Sequence, residues 1–282
     1  MQYRKSILSL ALVLAMFGAS QASEVEIGKR RIEVPFPAGF VELSPKMSPY
    51  YETMRAYVST ENTRFMTLIE EADADALLRG EEIALTRYVN VETARNLSSV
   101  SVSSADFADF RAILRDQVQD MYASVEDKVE SMLEQGNRSL SAEFSVDVAV
   151  DVGGIVPLPV HLDTDNRIAN SMFATVDATV AGESAGAETI SATSLVLHVQ
   201  DKVLFLYVYA AKDDLEWTRA TAAAMSDSII AANPLTDDAR RAIERPGGFD
   251  WGAVLTKALV AALFAGLFGL VVSFVGKRRE KQ

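Results

Sequence analysis

Apolar and charged residues alternate over residues 24–27 and again over 31–34, with Gly28-Lys29 between them. Period-two alternation around a glycine turn predicts a β-hairpin. Pro35, Pro37 and Gly39 then interrupt the pattern. Met47, Tyr50, Met54, Tyr57 and Val58 recur at helical spacing behind Ser48-Pro49, which reads as an N-cap and first-turn pair. Residues 63–70 predict a strand, 73–79 a short helix stopped by Gly80, and 84–92 another strand. A stripe of Phe107, Phe110, Leu114, Val118, Met121, Val125, Val129 and Met132 steps by three or four. It predicts one long amphipathic helix over residues 105–134, lying on a sheet. Ser103 and Asp106 have the spacing of a capping box at its start, and Gly136 suits its end.

The two-residue period then returns. Phe144, Val146, Val148, Val150 and Val152 alternate with Ser145, Asp147, Ala149 and Asp151, a strand with one polar face, punctuated by Gly153-Gly154 and by Pro157 and Pro159. Residues 171–180 predict a further strand, 181–187 a Gly/Ala/Ser loop, and 189–199 with 202–210 a hairpin about Gln200-Asp201. Residues 203–209 are nearly all apolar or aromatic, which predicts a central strand covered on both faces. A last helix is expected from Asp213 or Asp214, with Asp213 and Glu216 at capping-box spacing. Leu215, Thr218, Ala222, Met225 and Ile229 form its inner face, and Asn233-Pro234 ends it. The sum is an α+β fold, an antiparallel sheet sandwiched by helices.

The two ends have a different character. Residues 7–17 are an apolar run behind Arg4 and Lys5, followed by Ser20-Gln21-Ala22, the layout of a secretory signal peptide cut after Ala22. An uncleaved first membrane helix is the competing reading. Near the other end, residues 258–275 are apolar or small, with Ser273 the only polar side chain. At about 1.5 Å per residue an uncharged run of this length approaches the roughly 30 Å hydrocarbon core. Lys257 can carry its ammonium to the interface, Trp251 stands where an aromatic belt residue would, and Lys277, Arg278, Arg279 and Lys281 put the C-terminus in the cytoplasm. The expected organisation is a signal peptide (1–22), an extracytoplasmic α+β domain (23–233), a juxtamembrane linker (234–252), one transmembrane helix (253–276) and a basic cytoplasmic tail (277–282). In a bacterium this is a single-pass protein of the inner membrane with its bulk in the periplasm. The tail also resembles C-terminal sorting tails removed by an intramembrane protease, with Gly247-Gly248 before the helix and the basic cluster after it. Ala261, Ala265, Gly269 and Ser273 recur every four residues, a spacing that lets two membrane helices approach closely and predicts self-association.

Charge and composition narrow the chemistry. The net charge is −12, and leaving out the basic residues of both ends makes the remainder more acidic still, which excludes nucleic acid as a partner. With no cysteine, an exported domain must be stable through its core, and thiol catalysis, Cys-type zinc sites and iron–sulfur clusters are excluded. Only His161 and His198 are present, too few for a histidine-built metal site.

The order of elements over residues 24–233 resembles the PsbP/Mog1-like fold, in which a curved antiparallel sheet lies between helices. That family contains photosystem assembly subunits and a small-GTPase-binding factor, so the resemblance implies a non-catalytic binding or assembly role. Two local patterns suggest other chemistry. Gly182-Glu183-Ser184-Ala185-Gly186 matches the G-x-S-x-G nucleophile elbow of serine hydrolases, making Ser184 the candidate nucleophile of an alternative, enzymatic reading. The segment after it, residues 189–197, is β-branched rather than helical, and the only downstream histidine is His198. Asp163, Asp165 and Asn166 cluster oxygen ligands as a calcium loop does, but Arg167 takes a ligand position and the loop's glycine is missing. The sequence therefore assigns no catalytic, cofactor or metal residue. It points to a membrane-anchored binding module whose partner is an envelope protein or a small ligand.

Overall fold

The computed structural model describes residues 21–56, 58, 61–116, 137, 138, 141 and 148–244. The amino-terminal apolar run, the helical stripe beyond residue 116 and the membrane segment with Ala261, Ala265, Gly269 and Ser273 lie outside the described residues. Among the described residues no helix is long and apolar enough to cross a membrane.

The first alternating segments form the hairpin they predict. Strands β1 (Ala22–Ile27) and β2 (Arg30–Pro35) pair antiparallel as a two-stranded sheet, and Gly28 turns the chain at φ +62°. Eight further strands come after it: β3 (Phe40–Glu42), β4 (Asn62–Glu70), β5 (Tyr88–Ala94), β6 (Val148–Pro157), β7 (Leu162–Thr164), β8 (Arg167–Val180), β9 (Glu183–Val199) and β10 (Lys202–Ala211). They make one antiparallel sheet in the order β3-β4-β5-β10-β9-β8-β6, with β7 paired to β8. The helices are α1 (Tyr50–Ala56), α2 (Glu71–Leu78), α3 (Arg95–Ser98), α4 (104–116), α5 (Leu215–Ala232) and α6 (Asp237–Ile243).

Side chains on a strand alternate between faces, so a strand in mid-sheet feeds two cores. Strand β10 does this most completely. Val203, Phe205, Tyr207 and Tyr209 join the core beneath α1, α2 and α4, while Leu204, Leu206 and Val208 pack against α5 and the β1–β2 hairpin. The α+β sandwich expected from the pattern is present, with the near-continuous apolar strand at its centre.

Helix α4 opens with the capping box. Ser103 Oγ accepts from the Asp106 amide (3.0 Å), and Asp106 Oδ2 accepts from the Ser103 amide (3.2 Å) and hydroxyl (2.6 Å). Phe107, Phe110 and Leu114 are buried behind it. At the end of α5, Asn233 behaves like a peptide group added to β2. Its Oδ1 accepts from the Glu33 amide (2.9 Å), and its Nδ2 donates to the Glu33 carbonyl (2.7 Å). This clamps the hairpin to α5.

Several boundaries differ from the sequence pattern, each for a tertiary reason. Residues 84–87 stay outside the sheet, because the Tyr50 hydroxyl exchanges hydrogen bonds with the Ile83 backbone and Arg87 turns outward to Asp214. Gly153-Gly154 does not stop β6, since the ladder shifts register between Val152 and Gly154 and continues to Pro157. Residues 181–187 are not a loop. Ala181 and Gly182, at φ +52° and +77°, complete a two-residue turn and β9 begins at Glu183. The Asp213–Glu216 capping box does not form, because residues 212–214 are a 3-10 turn and α5 starts only at Leu215, with Asp214 at its N-cap and that carboxylate taken by Arg87. Ser48 closes a preceding 3-10 turn, donating to Pro45 O, rather than capping α1. Beyond Pro234, Thr236 caps the short helix α6, in the segment whose composition suggested only a linker.

Asp73, in the first turn of α2, has a buried Oδ2 with no hydrogen-bond partner among the described residues. Burial first, and the charge of Glu70 second, push its pKa up to about 6. A folded pKa above the unfolded value of about 3.9 means stability that is fully present below that value and lost as pH rises through about 6. The loss at neutral pH is bounded at about 3 kcal/mol, and solvent screening of this partly exposed group reduces it to about 1–2 kcal/mol. Asp73→Asn is therefore expected to raise Tm at pH 7 by about 2–6 °C, with no gain at pH 4. Thermal melts at the two pH values check this; an equal shift at both would refute the assignment.

Candidate functional site

Among the described residues β4 has no edge-strand partner below Thr67, where β3 ends. β3 pairs only with Leu68–Glu70 of β4, and Leu43 adds one backbone bond to Thr67 before the chain turns into the helical segment. The other half of β4 meets α1 instead, and between them lies a pocket of about 300 Å³. Its apolar lining is Leu43, Met54, Val58, Phe65 and Met66, with Tyr51 from α1. Its ionisable lining is Arg55, Arg64, Arg95 and Glu42.

A buried ionic group forms one wall. Arg64 Nε donates to Glu92 Oε1 at 2.7 Å, and their side chains are only 7% and 1% exposed. Asn62 Nδ2 donates to the other carboxylate oxygen at 2.8 Å, and Arg64 Nη1 donates to the Met54 carbonyl at 2.8 Å. The second of these bonds ties α1 to the strand. β4 and β5 place the group, since Arg64 and Glu92 are direct cross-strand partners and Asn62 lies on the same face. A bulge at Phe65 separates this stretch from the regular ladder above it. Asn62 Oδ1 is buried with no hydrogen-bond partner among the described residues.

Arg95, at the start of α3, reaches across the edge of β4 and donates from Nε to the Asn62 carbonyl (2.9 Å). Arg55 stands over the Tyr51 ring at 5.6 Å and within 3.7 Å of Glu52. Such an arrangement combines a concave shape with positive charge. Among the described residues that line it there is no nucleophile–base pair.

The residues singled out from the sequence lie elsewhere. Ser184 sits in β9 two residues past a hairpin turn, exposed, its Oγ accepting from the Gly186 amide (3.2 Å). An elbow requires the serine between a strand and a helix; here the strand continues to Val199. His198 is at the far end of the same strand, roughly 45 Å away at about 3.3 Å per residue. It is buried, stacked on Phe107 at 5.0 Å, with Nε2 donating to the Val102 carbonyl (2.9 Å). Burial lowers its pKa, so the ring is neutral at pH 7 and holds α4 to the sheet. The hydrolase geometry is absent.

The calcium reading meets a different obstacle. Asp163 accepts from Arg111 Nη1 (2.9 Å) and Arg115 Nε (3.0 Å), so two guanidiniums already occupy its carboxylate. Asp165 is fully exposed and 3.8 Å from Arg111. Among the described residues no cluster of His, Asp and Glu has the arrangement of a metal site. His161 lies on the surface between β6 and β7, remote in sequence from the pocket.

Sequence reasoning passed over Arg64, Glu92, Asn62 and Arg95. The available signal was a charge of each sign inside two segments read as strands.

No protein-family model matches the chain, and no curated protein matches it. Among solved structures it is similar to the cyanobacterial PsbP (CyanoP) of Synechocystis sp. PCC 6803, with 10% identity, a TM-score of 0.29, and 78% of this chain and 96% of that chain covered. It is also similar to the Ran-binding protein Mog1p of Saccharomyces cerevisiae (11% identity, TM-score 0.30, 80% and 94% covered). A point mutant of Mog1 aligns with 12% identity and a TM-score of 0.33 over 77% of this chain and 97% of that chain. These are the two protein types whose layout the order of elements resembles, and a likeness at this level identifies neither partner nor site.

Proposed function

We propose that this protein is a non-catalytic binding module, held by its C-terminal helix in the bacterial inner membrane with residues 23–233 in the periplasm, and that it engages its partner through the α1–β4 pocket. The observation that carries the reading is the pocket wall. The Arg64–Glu92–Asn62 group is buried at a break in the sheet and fixes α1 to β4, which keeps a concave, mixed apolar and cationic surface open. Preformed concave sites with a few placed polar groups are the usual form of a binding site. The apolar and basic character of residues 253–282 supports the membrane placement.

The test replaces Phe65, in the pocket, with a photoreactive benzoylphenylalanine in the full-length protein, with Ser184 on the distant hairpin as the control site. Irradiation of intact cells is expected to give a discrete adduct, by mass, from position 65 and none from 184. Absence of an adduct at 65, or equal labelling at both positions, would remove the pocket from the function.

A further inference from the structure

We propose that the α1–β4 pocket takes a small amphipathic anion, a carboxylate joined to an apolar body of about ten non-hydrogen atoms. This rests on the pocket being the binding site. Size comes from the volume, since about 300 Å³ holds on the order of ten groups at about 30 Å³ each. The apolar part comes from Leu43, Met54, Val58, Phe65 and Met66, with two thioethers and an aromatic ring that favour a flat or aromatic guest.

The charge comes from the guanidiniums. In a chain of net charge −12, the described residues that line the pocket include three arginines and a single acid, Glu42. They are not equivalent. Arg64 is committed to Glu92 and to the Met54 carbonyl. Arg55 is shared between the Tyr51 ring and Glu52 at 3.7 Å. Arg95 is anchored by the bond from Nε to the Asn62 carbonyl, and among the described residues no carboxylate lies within ion-pair distance of it. That bond orients the guanidinium against the pocket wall and leaves its two terminal amino groups for a guest. A planar guanidinium fixed in this way matches a carboxylate through two parallel hydrogen bonds. Arg95 is therefore the anion-selecting residue, with Arg55 of α1 as the second cation lining the pocket.

The experiment titrates full-length protein in lipid nanodiscs with phenylacetate, followed calorimetrically and by saturation-transfer NMR, with empty nanodiscs as the blank. Acetate, 2-phenylethanol and phenethylammonium are the comparison probes. Saturable binding of phenylacetate is expected, with each comparison probe at least tenfold weaker. Arg95→Gln is expected to weaken phenylacetate at least tenfold, Arg55→Gln by a smaller factor, and Arg241→Gln on α6 not at all. Phenylethanol or phenethylammonium binding as tightly as phenylacetate would overturn the anionic assignment, and so would indifference to both Arg95→Gln and Arg55→Gln. Acetate binding equally well would overturn the apolar part. An adduct at position 65 without phenylacetate binding would sink the ligand class while leaving the pocket as the site; absence of both would sink the pocket as well.

Discussion

Gly28→Ala is expected to destabilise the domain by about 3 kcal/mol or more, from left-handed backbone strain added to overpacking. Gly28 turns the β1–β2 hairpin at φ +62°, a region where a Cβ is disfavoured. The larger effect is steric. A Cβ at this position would lie 2.4 Å from the Ser98 backbone oxygen, a distance that requires backbone to move. Ser98 cannot move freely, because Lys202 Nζ donates to its carbonyl (3.3 Å) and to that of Val100 (2.6 Å). Behind it, Arg30 Nε (2.6 Å) and Ser101 Oγ (2.5 Å) both donate to the buried Asp201 carboxylate. Gly39 separates the two effects. It has φ +78° but nothing within 4 Å of its Cβ position, so Gly39→Ala should cost only about 1–2 kcal/mol from backbone strain. Urea denaturation of the two variants measures the difference, and equal midpoints would show that the Ser98 contact contributes nothing.

Glu92→Ala should be comparably severe, costing about 3–5 kcal/mol, because it strands the Arg64 guanidinium in a site nearly closed to water. Asn62 would also lose the acceptor of its Nδ2. The penalty belongs to the unpaired charge, so Arg64→Met combined with Glu92→Leu is expected to recover most of the stability that either single change loses. The exposed Arg31–Glu24 pair, with side chains 75% and 60% exposed, is the control, and Glu24→Ala should shift stability by less than about 1 kcal/mol. A double variant as unstable as Glu92→Ala would mean that the group contributes more than charge neutralisation. The same variants report on the pocket, since Arg64 Nη1 holds the Met54 carbonyl of α1.

How much of the fold was legible depended on the range of the interaction. The hairpin about Gly28 was readable because period-two alternation and a turn glycine are local. The capping box at Ser103 and Asp106 was readable for the same reason, its partners being three residues apart. At residues 181–187 composition misled, because glycine, alanine and serine suit a loop, yet only Ala181 and Gly182 turn and pairing with β8 holds residues 183–187 as strand. At Asp213 spacing misled, because a 3-10 turn delays the helix to Leu215 and puts Asp214 at its N-cap, where Arg87, far along the chain, takes the carboxylate. The pocket was not legible at all. It requires β3 to stop short on β4, α1 to fold over the gap, and Arg95 to cross the strand edge.

By itself the sequence determined the periods, and through them the α+β class, the central position of β10 and the apolar faces of α4 and α5. It also carried the hydrophobic ends and the acidic balance. Only the tertiary structure decided strand order and register. Thr67, Asn90, Tyr207, Ser194 and Asn170, dispersed along the chain, stand side by side on five neighbouring strands. Arg64 meets Glu92 only because the register shifts by one residue at the Phe65 bulge. The physical reason is that a side chain's face is set by its neighbours along the strand, whereas its partner is set by how distant strands align, and a slip of one residue would turn every one of these polar groups to the opposite face.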